Sequence, residues 1–144
     1  MNPEEIHEPG PDPNYVRPGP DARLTVETAL KRAHDPDVEL RIVQGFLDRG
    51  AGFAAFLALP DTAAEDPTVI QQFERSYAQA WEDIDHLIED SLDALGWSRE
   101  VTELKKAQGI PDNYLIWNRD ALIAHLHDVY SLVQLDGWTH AFHK

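Results

Sequence analysis

The sequence predicts an α+β protein that is mainly helical and ends in a C-terminal antiparallel β-hairpin. Successive segments space apolar residues at helical intervals between capping residues and glycine or proline. The last segment holds two β-prone runs, VYSLVQL and WTHAF, joined by Asp136-Gly137, which is a strong hairpin signal. A length of 144 residues with 42% hydrophobic residues suffices for one core, so a single domain is expected over residues 22–144.

The first segment, residues 1–21, reads MNPEEIHEPGPDPNYVRPGPD and contains six prolines and two glycines. Proline fixes φ and lacks the amide donor that helices and sheets need. The segment is also acidic and holds few apolar side chains. It is therefore predicted to be a disordered, proline-rich, acidic tail.

Three helices are predicted in the first half of the domain. The first, LTVETALKRAH, has Thr25 as a plausible N-cap and ends before Pro36. The second, DVELRIVQGFLDRG, stops at Gly50 and places one apolar face inward, formed by Val38, Ile42, Val43, Phe46 and Leu47. The third, AGFAAFLALP, is nearly all apolar and is predicted to lie in the core.

The second half is predicted to continue with helices. Asp66 is expected to cap a helix with Pro67 at its first position. That helix either runs unbroken to Leu95 or breaks near Trp81-Glu82-Asp83, where Asp83 caps a second helix. Two shorter helices follow, the first from Ser98 as cap to Gly109 as stop, and the second over residues 119–127 with Asn118 as cap.

Composition excludes several functions. A net charge of −14 disfavours direct binding to nucleic acid or to an anionic membrane and favours a basic protein partner. The chain has no cysteine, which removes disulfides, thiolate metal sites and thiol nucleophiles. No apolar run approaches the roughly 20 residues of a membrane span. A cytoplasmic protein is the simplest expectation.

The acidic stretch WEDIDHLIEDSLDALGW, residues 81–97, is the strongest candidate for a functional surface. On a helical wheel its six carboxylates fall within an arc of roughly 160°. Trp81, Ile84, Leu87, Ile88, Leu92 and Leu95 fall on the opposite side. In one unbroken helix the carboxylates would recur about every 3 Å, close to the phosphate spacing of about 3.4 Å in one DNA strand. The candidate partner-binding residues are Glu65, Asp66, Glu74, Glu82, Asp83, Asp85, Glu89, Asp90, Asp93, Glu100 and Glu103.

Other interpretations stay open beside this one. A run of charges is usually a solvated helix face without a specific role. His125, His127, His140 and His143 could approach one another with Asp128, but they match no metal-ligand motif, and neither a metal nor another cofactor is expected. No serine lies in a nucleophile-elbow or phosphate-loop context, so no catalytic residue and no enzymatic activity are expected. The four tryptophans are predicted to be core residues.

Two segments, FERSYAQAWEDIDHLIEDSLDALGW and IPDNYLIWNRDALIAHLHDVYSLVQLDGWTHAFHK, resemble the second half of the ArdA antirestriction proteins. The stretch VELRIVQGFLDRGAGFAAFLAL is similar, more weakly, to the helices that open that family's middle region. The family's N-terminal β-rich domain has no counterpart in this sequence. The positions that match are Phe73, Glu74, Tyr77, Tyr114, Leu115, Trp117, Ala121, Leu126, Val129, Tyr130, Gly137, Trp138 and Phe142.

The resemblance implies a non-enzymatic DNA mimic. ArdA proteins are acidic, elongated dimers that occupy the DNA-binding groove of type I restriction-modification enzymes and are carried by mobile elements such as phages and plasmids. By this resemblance, the partner is a type I restriction-modification enzyme or another DNA-binding protein, and a homodimer is one further expectation. The alternative is a small acidic adaptor that binds a basic protein through the tail or the hairpin edge.

Overall fold

The computed structural model describes residues 15–144, which form seven α-helices, one short 3₁₀ turn and a three-stranded antiparallel sheet. The mainly helical α+β class and the C-terminal hairpin are therefore confirmed. Within this described part, no helix combines the length and apolar content that a membrane span requires. In chain order the elements are α1 (Pro20–Arg32), α2 (Pro36–Arg49), α3 (Ala51–Ala58), α4 (Val69–Ser76), β1 (Tyr77–Trp81), α5 (Ile84–Ala94), α6 (Trp97–Gln108), the 3₁₀ turn (Asp112–Tyr114), α7 (Arg119–Val129), β2 (Tyr130–Leu135) and β3 (Trp138–His143).

The folded part of the chain begins before residue 22, where the predicted tail ends. Val16 is buried, and its carbonyl oxygen accepts a hydrogen bond of 2.9 Å from the Ala51 amide. Helix α1 starts at Pro20 with Gly19 as its N-cap, so the predicted cap at Thr25 is wrong. Residues 1–14 of the predicted tail lie outside the described residues.

A side chain from the hairpin turn explains this early helix start. The carboxylate of Asp136 accepts hydrogen bonds from the amides of Gly19, Asp21 and Ala22, at 3.1, 2.8 and 2.9 Å. The first amides of a helix have no partner within the helix, and a negative charge there also interacts favourably with the helix dipole. Asp136 therefore caps α1 from more than a hundred residues away in the chain.

We expect Asp136→Gly to lower the free energy of unfolding by about 2 kcal/mol, because three amides of α1 lose a charged acceptor. Asp136 has φ of 51° and Gly137 has φ of 83°, as a type I′ hairpin turn requires. Glycine accepts that backbone conformation, so the substitution tests the cap and not the turn. Asp136→Asn keeps an acceptor oxygen, so its free energy of unfolding should decrease less than that of Asp136→Gly. Urea unfolding of the three proteins measures the effect, and equal stability of wild type and Asp136→Gly would contradict it.

Helices α2 and α3 meet at Gly50, which has φ of 68° and ends α2 as predicted. The inward face of α2 is narrower than predicted: Val38 and Ile42 are buried, whereas Val43 and Leu47 are exposed. Gly45 also faces inward, because a Cβ there would lie 2.5 Å from the ring of the buried Phe53. All six residues at 51–56 are buried, so the prediction of a core helix in this segment is confirmed.

The sheet has the strand order β1-β3-β2, with every neighbouring pair antiparallel. The hairpin β2–β3 is confirmed, but β1 lies where the sequence predicts helix. An irregularity between Tyr77 and Gln79 shifts the register of β1, so Tyr77 pairs with Phe142 whereas Trp81 pairs with Thr139. As a result, Tyr77 and Trp81 pack against opposite faces of the sheet.

The sheet separates two apolar clusters. The larger one packs α1 to α4 against one face of the sheet and includes Phe53, Phe56, Phe73 and Phe142. The smaller one packs α5 and α7 against the other face, around Leu87, Ile88, Leu92 and Leu126. Because β3 is the central strand and is covered on both faces, four consecutive residues, 139–142, are buried. The second cluster fixes the position of the acidic helix α5.

The remaining helix boundaries are partly as predicted. Asn118 caps α7 by accepting from the Ala121 amide, and Gly109 ends α6 with φ of 67°. Two predicted caps are wrong. Thr68 is the N-cap of α4, and Asp66 instead accepts from the amide and hydroxyl of Thr68 in the preceding turn. Helix α6 begins at Trp97 after the left-handed Gly96, not after Ser98.

Candidate functional site

Helix α5 carries four of the six carboxylates of the acidic stretch. The four are exposed and extend over eight residue steps, or about 12 Å of helix axis. They are Asp85, Glu89, Asp90 and Asp93. Glu82 and Asp83 precede the helix, so the spacing predicted for one continuous helix is wrong at this end. Of the two alternatives, the one with Asp83 as the cap of a second helix is confirmed, since its side chain accepts from the His86 amide at 2.9 Å. The preceding helix, however, already ends at Ser76.

The apolar side of α5 holds the helix against the sheet. Leu87, Ile88 and Leu92 are buried, and Ile84 packs beside them. Trp81 belongs to β1 but contacts the same cluster. Leu95 differs from the prediction, because 58% of it is exposed. The burial of this stripe explains how a helix with closely spaced like charges stays in place.

Some of the carboxylates already have partners within the chain. Asp85 accepts a hydrogen bond of 2.7 Å from Nε of Arg119, and this contact raises the pKa of Arg119. Asp90 accepts one of 2.7 Å from the indole of Trp81. In residues 15–144, none of the eleven candidate carboxylates forms a hydrogen bond or an ion pair with the nearby cations Arg75, Arg99, Lys105 and Lys106.

The start of α5 contains a coupled pair, Asp83 and His86. The His86 ring nitrogen Nδ1 lies 2.8 Å from Oδ1 of Asp83. This hydrogen bond and the charge of Asp83 raise the pKa of His86. Hydrogen bonds from the His86 amide and then its side chain lower the pKa of Asp83. Glu82 lies 4.0 Å from Nε2 of the same ring, so a protonated His86 offsets part of the negative charge here.

The acids before and within α4 are mostly engaged in local structure. Glu74 forms an ion pair with Arg49 of α2. Asp66 is held in its turn, where the Thr68 amide and then the Thr68 hydroxyl lower its pKa. Glu65 is exposed, and only its backbone carbonyl oxygen accepts a hydrogen bond, from Arg41. The engaged side chains of Glu74 and Asp66 therefore contribute less to a binding surface than the sequence predicts.

Of the eleven candidate carboxylates, a smaller set has no side-chain hydrogen bond or ion pair within residues 15–144. They are Glu65, Glu89, Asp93, Glu100 and Glu103. Four of the five lie on α5 and α6, two helices that contact each other. The unpaired candidate carboxylates therefore lie mainly on this helix pair, although other exposed acids, such as Glu27 and Asp48, lie on α1 and α2.

An exposed apolar surface lies beside the acidic helix, and sequence reasoning missed it. Trp97 and Trp117 were predicted as core residues, but 46% and 41% of them are exposed. Their rings stack on each other with centroids 6.3 Å apart. Residues 111–121 are all exposed, including Tyr114 and Ile116. One sequence signal could have indicated this exposed apolar surface. Leu115, Ile116 and Trp117 form an apolar run in a segment that has neither helical nor strand periodicity.

A cavity of about 220 Å³ opens between α5, α6 and α7. Apart from Ser91 and His125, all residues that line it are apolar: Ile88, Leu92, Leu95, Trp97, Leu122 and Leu126. Ser91 satisfies its hydroxyl within α5 by donating to the Leu87 carbonyl oxygen. Trp97 connects the cavity with the exposed stack on Trp117.

The C-terminal histidines are not assembled into a metal site in the described structure. His140 is fully buried, and its Nδ1 lies 2.9 Å from the hydroxyl oxygen of Tyr77. His125, His127 and His143 are exposed. Among residues 15–144, no three histidine, aspartate or glutamate side chains converge as metal ligands would.

Comparison with known proteins identifies no relative of this chain. No protein-family model matches the chain, and no curated protein or solved structure matches it significantly. The resemblance to ArdA therefore depends on the residues quoted above. Several of these residues have core positions, since Phe73, Leu126 and Phe142 are all buried. The function has to be inferred from the surface that the fold exposes.

Proposed function

We propose that this chain is an acidic, non-catalytic inhibitor that imitates the DNA backbone and occupies the positively charged DNA-binding cleft of an enzyme. A type I restriction-modification enzyme is the first candidate target, and another DNA-binding protein is the second. The chain would act in the cytoplasm, and the resemblance to ArdA supports an origin in a mobile element such as a phage or plasmid. The observation that carries the proposal is the exposed carboxylate face of α5, beside which Glu100 and Glu103 lie on α6.

Charge and rigidity both support this proposal. The net charge of −14 attracts a cationic cleft at long range and raises the rate of association. The buried stripe of Leu87, Ile88 and Leu92 fixes α5, so its carboxylates are held in place before binding. Preorganised charges bind more tightly than charges on a mobile segment, because less conformational entropy is lost.

Competition for DNA tests the proposal. The chain should displace duplex DNA from a purified type I enzyme at low salt, and raised salt should weaken this displacement. A variant with Glu89→Gln, Asp93→Asn, Glu100→Gln and Glu103→Gln should compete roughly tenfold less well, since it loses four exposed charges at the contact.

The matched control also removes four exposed charges, but from α1 and α2: Glu27→Gln, Asp37→Asn, Glu39→Gln and Asp48→Asn. Both variants have the same net charge, so a difference between them reports position and not total charge. The control should compete within about twofold of wild type. Equal weakening in both variants, or no displacement by wild type, would argue against a localised DNA-mimicking surface.

The alternative function is an acidic adaptor for a basic protein that does not bind DNA. The exposed tryptophan stack of Trp97 and Trp117 favours this alternative, because tryptophan is enriched at the centres of protein interfaces. An adaptor should retain its partner when the four carboxylates are neutralised and lose it when Trp97 and Trp117 are replaced by serine. A DNA mimic should instead be weakened when the four carboxylates are neutralised.

A further inference from the structure

We infer that the cavity between α5, α6 and α7 receives one large apolar side chain from a lysine- or arginine-rich segment of the partner protein. This inference rests on the proposed function in one respect, namely that the partner is basic. It adds that recognition requires an apolar anchor as well as negative charge. Such an anchor would let the chain distinguish one cationic protein from another, which a row of carboxylates alone cannot do.

The size and lining of the cavity match an aromatic or large aliphatic side chain. Its volume of about 220 Å³ exceeds the roughly 150 Å³ of an apolar cavity that is known to bind benzene. Apart from Ser91 and His125, its walls are leucine, isoleucine and tryptophan side chains, and the hydroxyl of Ser91 is already satisfied within the helix. An apolar group that enters would leave no hydrogen bond unmade at Ser91.

The surroundings of the cavity favour a basic segment around that anchor. A wider groove adjoins the cavity and reaches Trp81 and Tyr130. The two spaces share Ser91, Leu95, His125 and Leu126. Asp90 is the one carboxylate among the residues that line this groove, and no lysine or arginine lines either space. Glu89 and Asp93 line neither space and lie on the exposed face of α5. Cationic side chains beside the anchor would therefore face negative charge.

The exposure of the cavity mouth supports the same conclusion. Leu95 is 58% exposed and Trp97 is 46% exposed, although both line an apolar cavity. Covering these two side chains would remove further apolar surface from water, at roughly 25 cal/mol per Å². Aromatic and aliphatic groups of this kind commonly supply most of the binding energy of an interface, while charged groups at the rim add specificity.

The test uses two synthetic peptides that are lysine-rich and differ only at one central position, tryptophan or serine. We expect the full chain to bind the tryptophan peptide about tenfold more tightly, because one buried aromatic anchor contributes at least that factor. Titration calorimetry or NMR measures both affinities. In the NMR titration, the shifts should map to α5 and α7. Equal affinities for the two peptides would overturn the inference.

Two variants locate the binding site. Leu95→Ser removes an exposed wall of the cavity, and Ser91→Phe fills it; each should reduce the advantage of the tryptophan peptide to about twofold or less. Leu47→Ser is the matched control, since Leu47 is an exposed leucine on α2 outside the cavity, and it should keep the full advantage. Circular dichroism verifies folding, and Leu95→Ser suffices if Ser91→Phe does not fold. An advantage that survives Leu95→Ser would contradict the assignment.

The outcomes separate this inference from the proposed function. If the chain displaces DNA but shows no preference for the tryptophan peptide, the inference fails and the mimicry stands. If the peptide preference is present but DNA is not displaced, the cavity binds a basic partner of another kind. A homodimer that excludes the peptide and dissociates on Leu95→Ser would overturn the inference, since a second copy would then cover the cavity.

Discussion

Replacing Phe142 with alanine should lower the free energy of unfolding by about 4 kcal/mol, the largest single effect that we expect. Phe142 lies in the central strand β3 and is 1% exposed. Its ring centroid lies 5.2 Å from that of Tyr77 and 5.6 Å from that of Phe56. Truncation removes this apolar surface and leaves a cavity that the paired strands on both sides prevent from collapsing.

Chemical unfolding by urea measures this change. Two further variants test whether the effect depends on the volume and burial of the Phe142 side chain. Phe142→Leu keeps most of the side-chain volume. Its free energy of unfolding should decrease by less than about half of the decrease expected for Phe142→Ala. Tyr114→Ala truncates an aromatic residue that is 72% exposed and should change stability by no more than about 0.5 kcal/mol. If Phe142→Ala and Tyr114→Ala had similar effects, the assignment of Phe142 to the centre of the larger cluster would be wrong.

The sequence predicts most elements of the fold because their signals are local. Asp136-Gly137 determines the hairpin through backbone conformation, and Gly50 and Asn118 mark helix ends through capping geometry. Strand β1 was missed because Phe73, Tyr77 and Trp81 are four residues apart, which imitates one face of a helix. The register shift within β1 sends Tyr77 and Trp81 to opposite faces, and this depends on pairing with β3, more than fifty residues later.

The start of α1 shows the same limit. Its capping carboxylate comes from Asp136, which no neighbouring residue reveals, although Pro20 at the first helical position is a local start signal that was missed. The exposure of the acids of α5 was predicted, since its amphipathic pattern separates them from the apolar stripe. The pairings of Asp85 with Arg119 and of Glu74 with Arg49 could not be predicted, because they join helices that are distant in sequence. The cavity beside α5 likewise depends on how three helices pack.

Acidification should destabilise the protein through His140, by about 3 kcal/mol between pH 6.5 and pH 4. His140 is fully buried, and burial lowers its pKa from 6.5 to about 4, although the charge of Asp136 acts in the opposite direction. Above pH 6.5 the ring is neutral in both the folded and the unfolded chain, so it adds no pH dependence. Between pH 6.5 and about pH 4, His140 binds a proton in the unfolded chain but not in the folded chain. The free energy of unfolding therefore decreases as the pH is lowered through this range. Below about pH 4 both states are protonated and this loss is complete.

The variant His140→Gln isolates this contribution, because glutamine does not titrate but can still form a hydrogen bond with Tyr77. The free energy of unfolding of both proteins should be measured by urea at several pH values. We expect the variant to be less stable than wild type at pH 7.5 and the difference in free energy of unfolding to narrow towards pH 4.

Other titrating groups are common to both proteins and cancel in the difference. These include Asp83, whose lowered pKa removes stability at still lower pH, and His86, whose raised pKa adds stability below neutral pH. Parallel stability curves would show that His140 binds its proton equally well in both states, which burial beside Tyr77 should prevent.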